Sequence, residues 1–307
     1  MKACIDIGGT KVAVSLNDGD GLELQARRTE PTAKTGNNDA LAAQVLRMVD
    51  AACEEVGVAP HCVERAGVSS CGPFVMREGL IELAAPNICG GMAGPARGLP
   101  NTWDTALLEA PLRERFREVR VENDCIGALE AERRWGALQG FDHCAYVTWS
   151  TGIGVGLCVD GRILRGKNGN AGHAGHMFVS DNNDALCGCG NIGDVEALIA
   201  GNAIARRFGA QAPAWFKRAQ EGDAQAHAIV DDLCRVMGRT LYNLIVTLDL
   251  QRISLGGSVF WNNRDYLLPK LAAQVHGKLP ALTDGAGLVA VGLADRVGDY
   301  AALALLV

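Results

Sequence analysis

The 307-residue chain has no apolar run reaching the roughly eighteen residues that a membrane span needs. Nor does a basic-then-apolar leader precede its first strand-like stretch, MKACIDIGGT. Positive charge is short as well: 29 Lys and Arg against 35 Asp and Glu leave a formal charge of −6. That balance argues against a nucleic-acid partner, because gripping a phosphate backbone takes a basic face. Cysteine is not short, but the eleven are an odd number scattered from Cys4 to Cys234, and only Cys187 and Cys189 stand at a metal-like spacing. Scattered thiols without a leader point to a reducing compartment, where most are packed as small apolar groups. The expectation is a cytoplasmic protein, bound neither to membrane nor to nucleic acid. Its length suffices for two lobes of about 150 residues, each with its own core.

The hydrophobic pattern opens with three short strands at 3–7, 11–17 and 22–27, with NDGDG at 17–21 as the turn between the last two. A helix fits 39–56, capped by Asp39, ended by Gly57, with Leu41, Val45, Met48, Val49, Ala52 and Val56 on one face. RAGVSSCGP at 65–73 reads as a strand entering a tight turn, and VRVENDC at 119–125 as a strand running into a helix. A long helix at 223–248, a strand at 252–259 and a closing helix at 295–307 complete the pattern. Two segments offset by 142 residues, DIGGTKVAVSLNDG at 6–19 and TWSTGIGVGLCVDG at 148–161, share one plan. Each has a strand end, a Gly/Thr turn, a returning strand and an Asp-Gly turn. The choice is between coincidence and a duplicated α/β unit.

DIGGTK at 6–11 sets a carboxylate at a strand end and two glycines in the turn, where backbone N–H groups can approach a phosphate. Asp6 then suits a hydrated magnesium ion; the plain alternative is a β-hairpin with a glycine turn. STGIGVG at 150–156, with its Ser150 and Thr151 hydroxyls, and LGGSV at 255–259 are two further such turns, and one extended nucleotide accounts for all three better than unrelated hairpins. Asp124, at a strand end where α/β sheets bind ligands, suits a general base toward phosphate. Taken alone, it reads more readily as a helix N-cap.

DIGGTK, PN at 86–87, VEND at 121–124, STGIGVG, GNAGHAGH at 169–176 and CGCGNIG at 187–193 follow one another as in the ROK family, which this chain resembles over nearly its whole length. That family groups sugar kinases with sugar-responsive repressors. The resemblance implies an actin-like ATPase fold, a duplicated RNase H-like α/β architecture. It implies a smaller N-terminal lobe at 1–121 joined by the C-terminal helix at about 295–307, a larger lobe at 122–294, and ATP and sugar in the cleft between them. By the same resemblance Asp6, Gly8, Gly9, Thr10 and Lys11 form the first phosphate loop and Thr151, Gly152, Ile153 and Gly154 the second, with Gly256 and Gly257 near the adenosine. Gly72, Asn87, Asn123, Asp124, His173, His176 and Glu196 would hold sugar, with Asp124 as the base.

The family's zinc ligands are a histidine and three cysteines. His176, Cys187 and Cys189 match, but Asp194 stands where the third cysteine belongs. A carboxylate ligates zinc at a distance similar to imidazole, so the fourth position falls to Asp194, to water or to another thiol; the plain alternative is a hydrogen-bonded loop. A nucleic-acid finger fails on spacing, since no second close pair follows Cys189. Catalytic zinc needs an open position, and phosphoryl transfer already has magnesium, so the ion is expected to be structural. His173 replaces a glutamate common in the family and changes the hydrogen-bond pattern offered to a sugar. The expected activity is ATP-dependent phosphorylation of the 6-hydroxyl of glucose or a close relative. N-acylhexosamines, fructose and a polyphosphate donor are the alternatives. A repressor is disfavoured because no helix-turn-helix fits before Asp6, and a homodimer is the family-level expectation.

Overall fold

The computed structural model describes residues 1–19, 21–92, 98–181 and 184–307, and among these the chain divides into two compact units. One comprises Met1–Ala131, Arg165–Ala171 and Arg296–Val307; the other comprises Glu132–Leu164 and Gly172–Asp295.

The first unit runs β1 (Lys2–Ile7), β2 (Lys11–Asn17), β3 (Gln25–Pro31), α1 (Ala40–Val56), β4 (Arg65–Ser70), β5 (Phe74–Arg77), β6 (Leu80–Leu83), β7 (Ala106–Leu107), α2 (Glu109–Arg115), β8 (Glu118–Asn123) and α3 (Asp124–Trp135). Its main sheet has the order β3-β2-β1-β4-β8, with β1–β2 and β2–β3 antiparallel and β1–β4 and β4–β8 parallel. The strand expected at 22–27 lies at Gln25–Pro31 instead. It is the sheet edge, carries Arg27, Arg28 and Glu30, and so lacks the apolar alternation that marks a half-buried strand. In the turn expected at 17–21, Asp20 lies outside the described residues. Asp39 does occupy the N-cap position of α1, but its side chain makes no cap bond; Gly57 closes the helix in the left-handed region as expected.

The second unit runs β9 (Cys144–Trp149), β10 (Ile153–Val159), β11 (Arg162–Ile163), α4 (Val195–Ile199), α5 (Gly201–Phe208), α6 (Ala212–Gln220), α7 (Ala224–Leu248), β12 (Arg252–Gly256), α8 (Ser258–Trp261), α9 (Arg264–Val275), α10 (Pro280–Thr283) and β13 (Gly287–Ala290). Its sheet, β11-β10-β9-β12-β13, repeats the first in order and in strand sense. The two Gly/Thr turns noticed in the sequence connect β1 to β2 and β9 to β10, so the offset segments occupy equivalent places. The strand expected at 252–259 stops at Gly256, because Gly257 takes φ +85° and Ser258 begins a short helix. Finally α11 (Val297–Ala304) belongs to the first unit and packs on β1 and β4. Gly67 of β4 permits that approach: a Cβ there would stand 2.1 Å from the Ala302 carbonyl oxygen. The division falls inside α3, at Ala131–Glu132, and assigns Arg165–Ala171 to the first unit.

Candidate active site

In the first unit β1, β4 and β8 end in step: Ile7, Ser70 and Asn123 are register neighbours. Beyond them come the Gly8–Lys11 turn, Gly72 and Asp124, at the carboxyl ends of parallel strands where such sheets bind ligands. The turn is closed by Gly8 N–H to the Lys11 carbonyl at 2.9 Å, and Thr10 and Lys11 are exposed. Burial first, and then the neighbouring charge of Asp124, push the Asp6 carboxyl up to about 7, against the pull of Lys11 and Arg27. Asp124 is the first residue of α3, and the Cys125 N–H donates both to its Oδ1 (2.8 Å) and to Asn123 Oδ1 (3.0 Å). Asn123 therefore takes the N-cap role once open to Asp124. Asn87 lies directly against the turn: a Cβ on Gly9 would fall 1.9 Å from its Nδ2. Its Oδ1 is buried and has no partner among the described residues, an unsatisfied acceptor of the kind a ligand donor completes. The segment after Gly72 is fixed by Asn170, which accepts from Phe74 N–H at 2.8 Å and donates to Phe74 O at 2.7 Å.

The second unit repeats the arrangement. Ser150 N–H donates to Gly152 O at 3.0 Å, and Gly201 N–H at the start of α5 donates to Ser150 O at 2.7 Å. Glu196 Oε2 accepts the Ile153 N–H at 3.1 Å, and a Cβ on Gly152 would approach that oxygen to 2.8 Å. Glu196, expected at the sugar, thus commits one oxygen to the second glycine turn, while Oε1 lies 3.7 Å from Cys187 Sγ. Gly154 lies within β10, between the buried Ile153 and Val155. Gly256 ends β12, where a Cβ would stand 2.9 Å from Val291; Gly257 follows, and a Cβ there would be 2.5 Å from the Trp149 carbonyl oxygen. Beside Thr151 and Ser258 opens a cavity of about 530 Å³, also lined by Asn202, Arg206, Asn262 and Asn263. These four carry no signal in the sequence, since only the packing of α5 and α8 brings them together.

His176, Cys187, Cys189 and Asp194 converge, one ligand atom from each lying within 4.8 Å of all the others. A tetrahedron with zinc–sulfur bonds of about 2.3 Å and zinc–nitrogen or –oxygen bonds of about 2.0–2.1 Å sets its donors roughly 3.3–3.8 Å apart. Here His176 Nδ1 is 3.8 Å from Cys187 Sγ, 3.6 Å from Cys189 Sγ and 3.0 Å from Asp194 Oδ2, and Cys189 Sγ is 3.6 Å from Asp194 Oδ2. Apart from the hydrogen-bonded His176–Asp194 pair, these separations match the tetrahedron, and the donor set suits the ion. Asp194 is fully buried and divides its oxygens: Oδ1 caps α4 by accepting Ala197 N–H at 2.7 Å, and Oδ2 faces the cluster. Its hydrogen bond raises the His176 pKa. The His173 ring stacks on His176, with centroids 6.2 Å apart at 28°.

Two units with one sheet order, each bearing a glycine turn after its first strand, define an actin-like ATPase fold. The chain belongs to the ROK family, whose profile matches residues 2–291. It is 32% identical over 266 residues to an N-acetylmannosamine kinase of Salmonella typhimurium, covering 83% of this chain and 82% of that one. It superimposes on a ROK hexokinase from Thermus thermophilus with a TM-score of 0.78 and 30% identity, covering 99% of this chain and 97% of that one. A ROK family glucokinase from Streptomyces griseus, solved with glucose and AMPPNP, gives a TM-score of 0.72 and 25% identity over 99% and 98% of the two chains.

Proposed function

We propose that this chain is an ATP-dependent sugar kinase that phosphorylates the 6-hydroxyl of a hexose. The observation that carries the reading is the meeting of Asp124, Asp6, Asn87 and the Gly8–Lys11 turn at three neighbouring strand ends. Asp124 accepts the hydroxyl proton, the freed oxygen attacks the γ-phosphorus, and ADP leaves. The turns at Gly8–Lys11 and Thr151–Gly154 hold the donor phosphates, since positioning and charge stabilisation do most of the work in phosphoryl transfer. The cavity beside Thr151 takes the adenosine, its size being in the range of small-ligand sites. Asp6 is the carboxylate placed to hold Mg²⁺, which supplies charge neutralisation on the phosphates; a cation there would offset the carboxylate repulsion between Asp6 and Asp124. Zn²⁺ on His176, Cys187, Cys189 and Asp194 would have a structural role, fixing the loop that carries His173 and His176 toward the sugar.

An N-acylhexosamine as acceptor is the second reading. The 32% identity to an N-acetylmannosamine kinase favours it. The two are separated by ADP release from Mg·ATP with glucose, mannose, fructose, glucosamine, N-acetylglucosamine and N-acetylmannosamine, followed by polyphosphate as donor. Turnover with only the N-acetyl sugars selects the second reading, and silence with every sugar and both donors removes both. Asp124→Asn is expected to keep sugar affinity and lose roughly 10²–10⁴ in kcat; substantial residual turnover would remove Asp124 as the base. No described helix is long and apolar enough to cross a membrane. We read the chain as a cytoplasmic homodimer, for which light scattering on the purified protein is the check.

A further inference from the structure

Thr32, just past the end of β3, is buried, 7% exposed, and touches the first glycine turn twice. Its hydroxyl donates to the Gly8 carbonyl at 2.7 Å, and its N–H donates to the Thr10 carbonyl at 3.1 Å. The Lys11 carbonyl is already taken by Gly8 N–H. The carbonyls of Gly8, Thr10 and Lys11 are thus drawn into the protein and away from any anion. A trans peptide is planar, with its C=O and N–H pointing in opposite directions. Holding the Gly8 oxygen therefore aims the Gly9 N–H outward, and that group has no acceptor among the described residues. Without the clamp, the peptide between two glycines is the one freest to flip and turn its oxygen toward the phosphate.

Thr32 is itself held. Gln44 of α1, 9% exposed, accepts the Ala33 N–H at 2.8 Å and donates to the Pro31 carbonyl at 2.8 Å, gripping the backbone on both sides of Thr32. On the other side of the turn the Asn87 amide packs against Gly9.

We propose that Thr32 is a positioning residue for the phosphoryl donor, its hydroxyl fixing the Gly8–Gly9 peptide so that the Gly9 N–H meets a donor phosphate, with Gln44 holding Thr32 in place. The proposal rests on the kinase reading of the site. Thr32→Val keeps the shape and removes the hydroxyl; Thr32→Ser keeps the hydroxyl. The test measures affinity for Mg·AMPPNP by calorimetry, sugar affinity without nucleotide, kcat and KM for ATP at saturating sugar, and the melting temperature. Thr32→Val is expected to weaken Mg·AMPPNP and lower kcat/KM for ATP by about tenfold, with sugar affinity unchanged, the loss of a single aimed donor being of that order or greater. Thr32→Ser recovers most of the loss, and Gln44→Ala shifts the same quantities in the same direction. Donor kinetics like wild type in Thr32→Val, or Thr32→Ser as impaired as Thr32→Val, would overturn the clamp. A wild-type chain that binds Mg·AMPPNP but phosphorylates no sugar would remove the kinase reading, while the affinities still decide the clamp. A wild-type chain that binds no nucleotide removes both.

Discussion

Glu132 is fully buried, and the N–H groups of Ala137, Gly292 and Leu293 and the Ser254 hydroxyl all donate to its carboxylate at 2.9–3.0 Å. Both oxygens are used as acceptors, which a carboxylate can satisfy and a primary amide cannot. Glu132→Gln would set NH₂ against a donor, so it is expected to cost about 1–3 kcal/mol, read as a lower urea midpoint with an unchanged slope. A Glu132→Gln midpoint equal to wild type would mean that these bonds add nothing. The sequence hides this role, because EAERRW reads as a charged helix face. Thr32 and Gln44 were equally invisible. Each lies far in sequence from the turn it serves, and neither belongs to a residue pattern with a chemistry of its own. Asp124, Asn87 and the turn glycines could be read because strand-end carboxylates and glycine pairs carry a local signal.

The segment between the 3-10 turn at Ala174–His176 and α4 shows what spacing can and cannot foretell about an element. The four candidate ligands were legible through the resemblance to the ROK family, only Cys187 and Cys189 standing at a metal-like interval of their own. The hairpin that joins them, closed by Cys187 N–H to Asn191 O at 2.8 Å and Gly193 N–H to Ala185 O at 2.8 Å, was not. Nor was the reason an aspartate suits the last position, which is that Asp194 serves helix and cluster with different oxygens. The two duties separate by substitution. Asp194→Asn keeps an acceptor for Ala197 N–H but loses the anionic ligand, so bound zinc per chain should fall. Asp194→Cys restores a thiolate ligand and loses the cap, so zinc should stay while the metal-free protein loses about 1 kcal/mol. Metal analysis of the purified variants, with chelator titration, checks both; equal zinc in wild type and Asp194→Asn would free Asp194 from the ligand set.

Across the whole molecule, the repeated sheet order decides between the coincidence and the duplication that the 142-residue offset left open, and both copies keep a glycine turn between antiparallel strands. Their boundary was not legible, since it falls inside a continuous helix, α3, with no break in composition. Cysteine is distributed unevenly in exposure: all eleven are free thiols, but only Cys62 and Cys189 are exposed, and Cys71 is half-buried. Burial pushes the Cys4, Cys144 and Cys234 thiols up to about 12, which suppresses the reactive thiolate. A thiol reagent is therefore expected to label Cys62 quickly in the native protein, Cys189 only after chelation, and the full set only in denaturant. Fast native labelling of most thiols would contradict the packing. The place of α11 bears on synthesis. The first unit holds the amino-terminal strands, yet Gly67 and Gly127 are shaped around Ala301 and Ala302. As the polypeptide leaves the ribosome, that unit must wait for residues made some two hundred positions later, so the half translated first is the last to be finished.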